Sequence, residues 1–184
     1  MTDLAGRLIA LTPRLRRHAR GLVGDATRAD DLVQDTLERA WRYRWRFQLR
    51  PRFGAGFSGS GESDGLFAWL LTIMHRLHLN AVRRPDRIDL TDTPPDIPVD
   101  EDPGLRRDLL RALAALPEDQ RAVLLLVGLE QLAYKEAADV LGVPLGTVMS
   151  RLSRARERMR VALDGVSTAP GASGDGSTTL HRVK

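Results

Sequence analysis

No cysteine occurs among the 184 residues, which excludes disulfides, cysteine-ligated zinc and thiol catalysis. Such a chain suits a reducing compartment. Long apolar runs are missing too, and no stretch approaches the ~18 residues that suggest a membrane span. The segment Met1–Ala10 mixes Asp3 and Arg7 with scattered apolar residues, which is not the pattern of a secretory signal. The expected location is therefore cytoplasmic. Histidine is limited to His18, His75, His78 and His181. His75 and His78 stand at i,i+3, but no carboxylate or third ligand joins them along the sequence. No metal site, catalytic residue, cofactor or small-molecule substrate is expected, and the chain does not read as an enzyme. Lysine is nearly absent, occurring only as Lys135 and Lys184, so arginine carries almost all of the positive charge.

Arginine forks match phosphates and guanine edges better than lysine does. A GC-rich coding sequence also enriches arginine, and the net charge is only +4, so where the arginines sit matters more than their number. Hydrophobic residues make up 42% of the chain, enough to bury a core.

Composition divides the chain into four parts. Residues 1–85 are basic and helically periodic. Residues 86–103, DRIDLTDTPPDIPVDEDP, hold seven acids, one arginine and four prolines, and can build neither a core nor a long helix. Residues 104–164 are again periodic and end in a basic run. Residues 165–184 are rich in Gly, Ser, Thr and Ala and read as a disordered tail. The expected fold class is all-α, with two small helical domains joined by an extended acidic linker.

In the first domain Leu8, Leu11, Leu15, Ala19 and Leu22 recur at helical spacing. Gly24 and Asp25 punctuate, and Thr27 is a candidate N-cap for a second helix. There Ala29, Leu32, Val33, Thr36, Leu37, Ala40 and Trp41 form an apolar stripe. Residues 54–65, GAGFSGSGESDG, read as a loop. A third helix follows, with Phe67, Leu70, Leu71, Met74, Leu77 and Ala81 expected to be buried. Arg76, Asn80, Arg83 and Arg84 lie on its opposite side at i, i+4, i+7 and i+8. Trp41 and Trp69 are expected in the core, while Trp45 stays open between core and base stacking.

In the second domain Leu105, Leu109, Ala112, Leu113 and Leu116 mark a helix that Pro117 ends. From Tyr134 to Arg160 the pattern is helix, tight turn, helix. Ala138 is small where two helices cross, Gly142 can take the left-handed turn, and Pro144 suits a helix start. Val148, Leu152, Ala155 and Met159 form the buried stripe of the last helix. Thr147, Met149, Ser150, Arg151, Arg154, Arg156 and Arg158 remain outside. Small polar residues followed by arginines are what a helix in the major groove needs: early residues reach base edges and later arginines hold phosphates. The alternative is a helical hairpin with a solvated basic face.

These segments together resemble the extracytoplasmic-function (ECF) sigma factors of the sigma-70 family. LPEDQRAVLLLVGLEQLAYKEAADVLGVP with GTVMSRLSRARERMR is similar to their region 4, DDLVQDTLERAW to region 2.2, and FAWLLTIMHRLHLNAVRR to region 2.4. The resemblance covers most of residues 5–163, in the family's order. It implies an alternative sigma factor that binds core RNA polymerase, through its β′ and β subunits, and directs transcription from particular promoters. It assigns β′ docking to Asp31, Leu32, Gln34, Asp35, Glu38 and Arg39. From the residues alone, that face reads as a solvated helix surface. The resemblance also assigns recognition of a melted −10 element to Arg76, Asn80, Arg83 and Arg84. Recognition of the −35 element falls to Thr147, Met149, Ser150, Arg151, Arg154 and Arg156. An anti-sigma factor, membrane-bound in many cases, is the implied regulator in a stress or envelope response.

The 18-residue linker can span at most ~60 Å, or about 17 base pairs, so it is long enough to separate two DNA-reading domains. Its acids suit either a nucleic-acid mimic within polymerase or a plain spacer. Two departures from the family pattern stand out. The loop at 48–65 is long and glycine-rich, and Ala133 and Ala137 replace a usual cap and a larger apolar residue, which suggests a softer helix-turn-helix. A helix-turn-helix regulator without polymerase remains a second reading, but it leaves the first domain idle.

Overall fold

The structure is a computed structural model that describes residues 4–48, 65–82 and 103–167. Most of the glycine-rich loop, the linker up to residue 102, the tail from 168, Arg83 and Arg84 lie outside the described residues. Every regular element among the described residues is a helix.

Helix α1 (Leu4–Val23) buries Leu8, Leu15, His18, Ala19 and Leu22. Gly24 then turns the chain with φ of +79°, where a side chain would be strained. Asp25, rather than Thr27, caps α2 (Ala26–Arg42): its carboxylate accepts the Arg28 N–H at 2.7 Å. Thr27 already lies inside the helix and is exposed. Ala29, Val33, Thr36 and Ala40 form the buried stripe of α2. At about 100° per residue Trp41 sits roughly a quarter-turn off that stripe, and it is 49% exposed instead of buried. The short α3 (Arg44–Gln48) follows.

Helix α4 (Gly65–Val82) is buried without interruption from Leu66 to Thr72. Burial all round a helix requires neighbours on several sides. Here α2 and α1 pack on it, and so does α7 of the second half. Trp69 is buried as expected, with its ring 5.4 Å from Phe47. Ala81, expected to be buried, is exposed beyond the reach of these neighbours.

In the second half α5 (Pro103–Ala114) lays Ala112 and the following Leu116 onto Ala155 and Met159 of α8. Leu109 points away and is 42% exposed, against expectation. Pro117 precedes α6 (Glu118–Leu124), which runs into a π-helical turn at Leu125–Leu129. There the Glu130 N–H donates to the Leu125 carbonyl and the Leu132 N–H to the Leu126 carbonyl, each at 3.0 Å. Gln131 is left-handed at φ +55°, an uncommon state for a residue with a side chain.

Helix α7 (Tyr134–Leu141) and α8 (Leu145–Ser167) form the helix-turn-helix. Gly142 joins them at φ +68°, its N–H donating to the Ala138 carbonyl at 2.8 Å. Ala133 has no side chain to cap α7, but the Glu136 carboxylate reaches back to accept the Ala133 N–H at 2.8 Å. That is half of a capping box, so α7 is better started than Ala133 alone suggests.

The two halves share one continuous core. Leu8, Leu15, Phe67, Leu70 and Met74 lie in the same apolar cluster as Val123, Leu126, Leu132, Ala137 and Val140. The periodicity of either half does not announce this contact.

Candidate nucleic-acid interface

The outer surface of α8 is built by its own periodicity. Val148, Leu152, Ala155 and Met159 are buried, as the spacing predicts. Rotation by about 100° per residue puts Ser150 and Arg154 at the centre of the outer face. Thr147 and Arg151 lie on one shoulder of that face, and Met149 and Arg156 on the other. Met149 is 51% exposed. Ser150 donates its hydroxyl to the Thr147 carbonyl at 3.1 Å, which steadies the first turn. Arg151 is half-buried, and its Nε meets the Asp119 carboxylate of α6 at 2.9 Å. Farther along, Arg160 is held by Glu157 and Asp164 at 2.8 and 2.9 Å. The cationic surface therefore weakens beyond Arg158.

The basic surface of the first half is assembled from three helices. Arg76 and Asn80, one turn apart on α4, are both exposed. They border a half-open cavity of about 220 Å³, lined on its other side by Arg39 of α2, Tyr43 at the end of α2 and Arg46 of α3, with Trp69 at its wall. Three arginines therefore line one hollow whose lining includes no acid. Next to it the run Trp41–Arg46 alternates aromatic and basic residues. The Arg44 guanidinium lies 5.2 Å from the Trp41 ring, and Arg46 stacks on Tyr43 at 4.8 Å and on Trp45 at 5.1 Å. Trp45 is 52% exposed, which resolves it as a surface residue. Tyr43, Arg46 and Trp69 did not emerge as site residues from periodicity, although the alternation WRYRWR at 41–46 was the available signal.

On α2, Asp31, Gln34, Asp35 and Glu38 are exposed within one arc, and Gln34 donates to Glu38 at 3.1 Å. Leu32 is half-buried against the core instead of standing free. Arg39 turns toward the cavity and joins Arg76 and Asn80 there. Arg39 therefore borders both the cavity and, one residue-step round α2, the acidic arc. Among the described residues no cluster of three or more His, Asp or Glu side chains is arranged to hold a metal ion.

Residues 106–159 match the family described as Sigma-70, region 4, and residues 8–53 match the Sigma2 domain of PhyR. The ECF RNA polymerase sigma factor EcfG of Rhodopseudomonas palustris is 35% identical over 170 residues, covering 89% of this chain and 87% of that protein. The chain belongs to the ECF RNA polymerase sigma factors. Its relatives act in transcription and are not enzymes. ECF sigma factor SigE of Mycolicibacterium smegmatis is also 35% identical, over 80% of this sigma factor and 56% of that one. Among solved structures, the sigma factor RpoE of Bartonella quintana, in complex with the anti-sigma factor NepR, superposes with a TM-score of 0.71. It is 30% identical, over 89% of this chain and 98% of that one. CnrH, in complex with the cytosolic domain of CnrY, gives a TM-score of 0.59 at 27% identity, covering 87% of each chain. The sigma factor is all-α, as its sequence predicts, and no described helix is long and apolar enough to cross a membrane.

Proposed function

We propose that this sigma factor reads promoter DNA at two surfaces and hands it to core RNA polymerase, which performs the chemistry. The cavity beside Arg76 and Asn80 is the observation that carries this reading. At about 220 Å³ it admits one unstacked base, and its arginines suit the flanking phosphates. A melted −10 strand is the matching ligand, engaged by Arg39, Arg46, Arg76 and Asn80, together with Arg83 and Arg84, which lie outside the described residues. The outer face of α8 reads the −35 duplex: Ser150 and Arg154 lie at its centre, with Thr147, Met149, Arg151 and Arg156 on its shoulders. Asp31, Gln34, Asp35 and Glu38, edged by Leu32, dock on the β′ subunit. Residues 1–85 and 104–164 act as the two functional domains, 86–103 as their linker, and 165–184 as a tail.

Regulation by an anti-sigma factor fits the complexes in which RpoE and CnrH were solved. Such a partner, soluble or membrane-anchored, would cover polymerase-docking surfaces of a cytoplasmic sigma factor. Run-off transcription on fragmented genomic DNA, with purified core polymerase, tests the central reading. Discrete start sites that require the protein, and that vanish with Arg76→Ala plus Asn80→Ala, are expected. Start sites that persist unchanged in that variant would remove the cavity from promoter recognition.

A further inference from the structure

We propose that the first turn of α8 reads duplex DNA by shape as well as by charge. The bare backbone at Gly146 lets the helix seat against the base edges, and Met149 then packs on the C5-methyl of a thymine. Gly146, Ser150 and Arg154 follow at i, i+4 and i+8, so they form one row along the middle of the outer face. The row opens with glycine and serine, which are small, and reaches a long side chain only at Arg154. Gly146 and Ser150 are both exposed.

Among the described residues nothing asks for glycine at 146. Gly24 and Gly142 turn the chain at positive φ, but Gly146 lies inside α8 without a positive φ. A Cβ there would find open space within 4 Å, whereas one at Gly21 would stand 2.8 Å from a methyl of Leu125. The first turn of α8 closes on Pro144 instead, whose carbonyl accepts the Thr147 N–H at 2.9 Å and the Val148 N–H at 3.2 Å. Glycine is a poorer helix former than every residue but proline, so its place here works against α8. The remaining use of a missing side chain is close approach by something outside the protein. For a helix that enters the major groove, that partner is the floor of the groove.

Beside this row stands an apolar shoulder. Met149 is 51% exposed, and Leu145, one turn earlier, is 47% exposed. The buried stripe of α8 is complete without them, since Val148 and Leu152 carry it at this end. An exposed thioether gains by covering apolar surface, and its unbranched chain adapts to what it covers. On the base edges of the major groove that surface is the C5-methyl of thymine. A guanine or cytosine edge would press polar groups against Met149 and leave them unpaired. Thymine is therefore the base that this shoulder favours. The inference rests on the reading that α8 faces the −35 duplex.

The whole chain with core polymerase, on a promoter recovered by run-off, supplies the test. Gly146→Ala should melt no lower than wild type, yet its initiation should fall roughly tenfold or more. Replacing −35 thymines one at a time by deoxyuridine removes the methyl and keeps the pairing. At one position wild type should lose about two- to fivefold, the scale of one buried methyl, and Met149→Ala should lose nothing there. A Gly146→Ala chain that initiates like wild type overturns the proposal. So does one that melts lower, since glycine then serves the fold. Deoxyuridine that is harmless at every position, or that costs the same in Met149→Ala, overturns it too. Scrambling the −35 element separates the failures. If wild type ignores the scramble, the −35 reading falls and takes this inference with it. If the scramble abolishes initiation while Gly146→Ala and deoxyuridine are silent, only this inference falls.

Discussion

Two arginine-bearing surfaces of this sigma factor are made differently. On α8 the outer face comes from one helix. Its inner stripe of Val148, Leu152, Ala155 and Met159 dictates what faces outward. On the first half the surface is a hollow that exists only because α2, α3 and α4 converge, bringing Arg39, Arg46 and Arg76 together. A single-helix face is suited to a rigid duplex groove. A hollow with aromatic walls is suited to a base that has left the stack. The first kind of site tolerates change one residue at a time, whereas the second depends on how three helices meet.

The sharpest way to break this contrast is at the hollow. Arg39→Ala with Arg76→Ala should lower initiation by roughly 10- to 100-fold, since removing base stacking and its cationic support costs ~1–3 kcal/mol per base. Permanganate reactivity of the promoter should fall with it, while binding to a −35 duplex stays unchanged. A loss of polymerase binding instead would return Arg39 to the acidic docking face. Next in size is Arg154→Ala, which should weaken −35 duplex binding by about 1–3 kcal/mol if Arg154 reads a base. If it holds only a phosphate, the loss should be the same on every sequence, and the salt dependence should flatten by about one unit.

A smaller effect should follow pH at the junction of the halves. Burial, and then the neighbouring His18 and His78, push the His75 pKa well below its ordinary 6.5, favouring the neutral ring in the closed packing. Beyond His18 stand Glu130 and Arg14. The contribution of His75 is therefore complete above about pH 6.5. It drains away as pH falls below that, by up to about 1.4 kcal/mol per pH unit. Thermal unfolding between pH 7.5 and 5.5 should show this slope, and His75→Gln should flatten it. The smallest effect is expected at Asp119. Its half-exposed pair with Arg151 is worth about 0–1 kcal/mol, so Asp119→Asn should move −35 affinity by less than about fivefold.

The same contrast explains what was legible in the sequence. The helix-turn-helix could be read because Gly142, Pro144 and the stripe of α8 are local signals. The cores of α1, α2, α4 and α5 followed from the same spacing, apart from residues at stripe edges such as Trp41, Ala81 and Leu109. Whether an edge residue is covered depends on a neighbouring helix that periodicity does not locate. Asp25 and Thr27 were both able to cap α2, and only the path of the chain chose between them. The pairing of His18 with Glu130 crosses 112 positions, and nothing local to either residue points to the other. Sequence spacing likewise left His78 without a carboxylate partner, because Glu118 comes from the other half of the molecule.

The contact between Gly21 and Leu125 has an evolutionary consequence. Two positions more than a hundred residues apart share one fixed allotment of space. A change at one is felt at the other: an alanine at 21 makes the Leu125 methyl groups shift, and a bulkier residue at 125 favours glycine at 21. Among sigma factors that keep this contact, the two columns of an alignment should change together, and in those that have abandoned it each should wander independently.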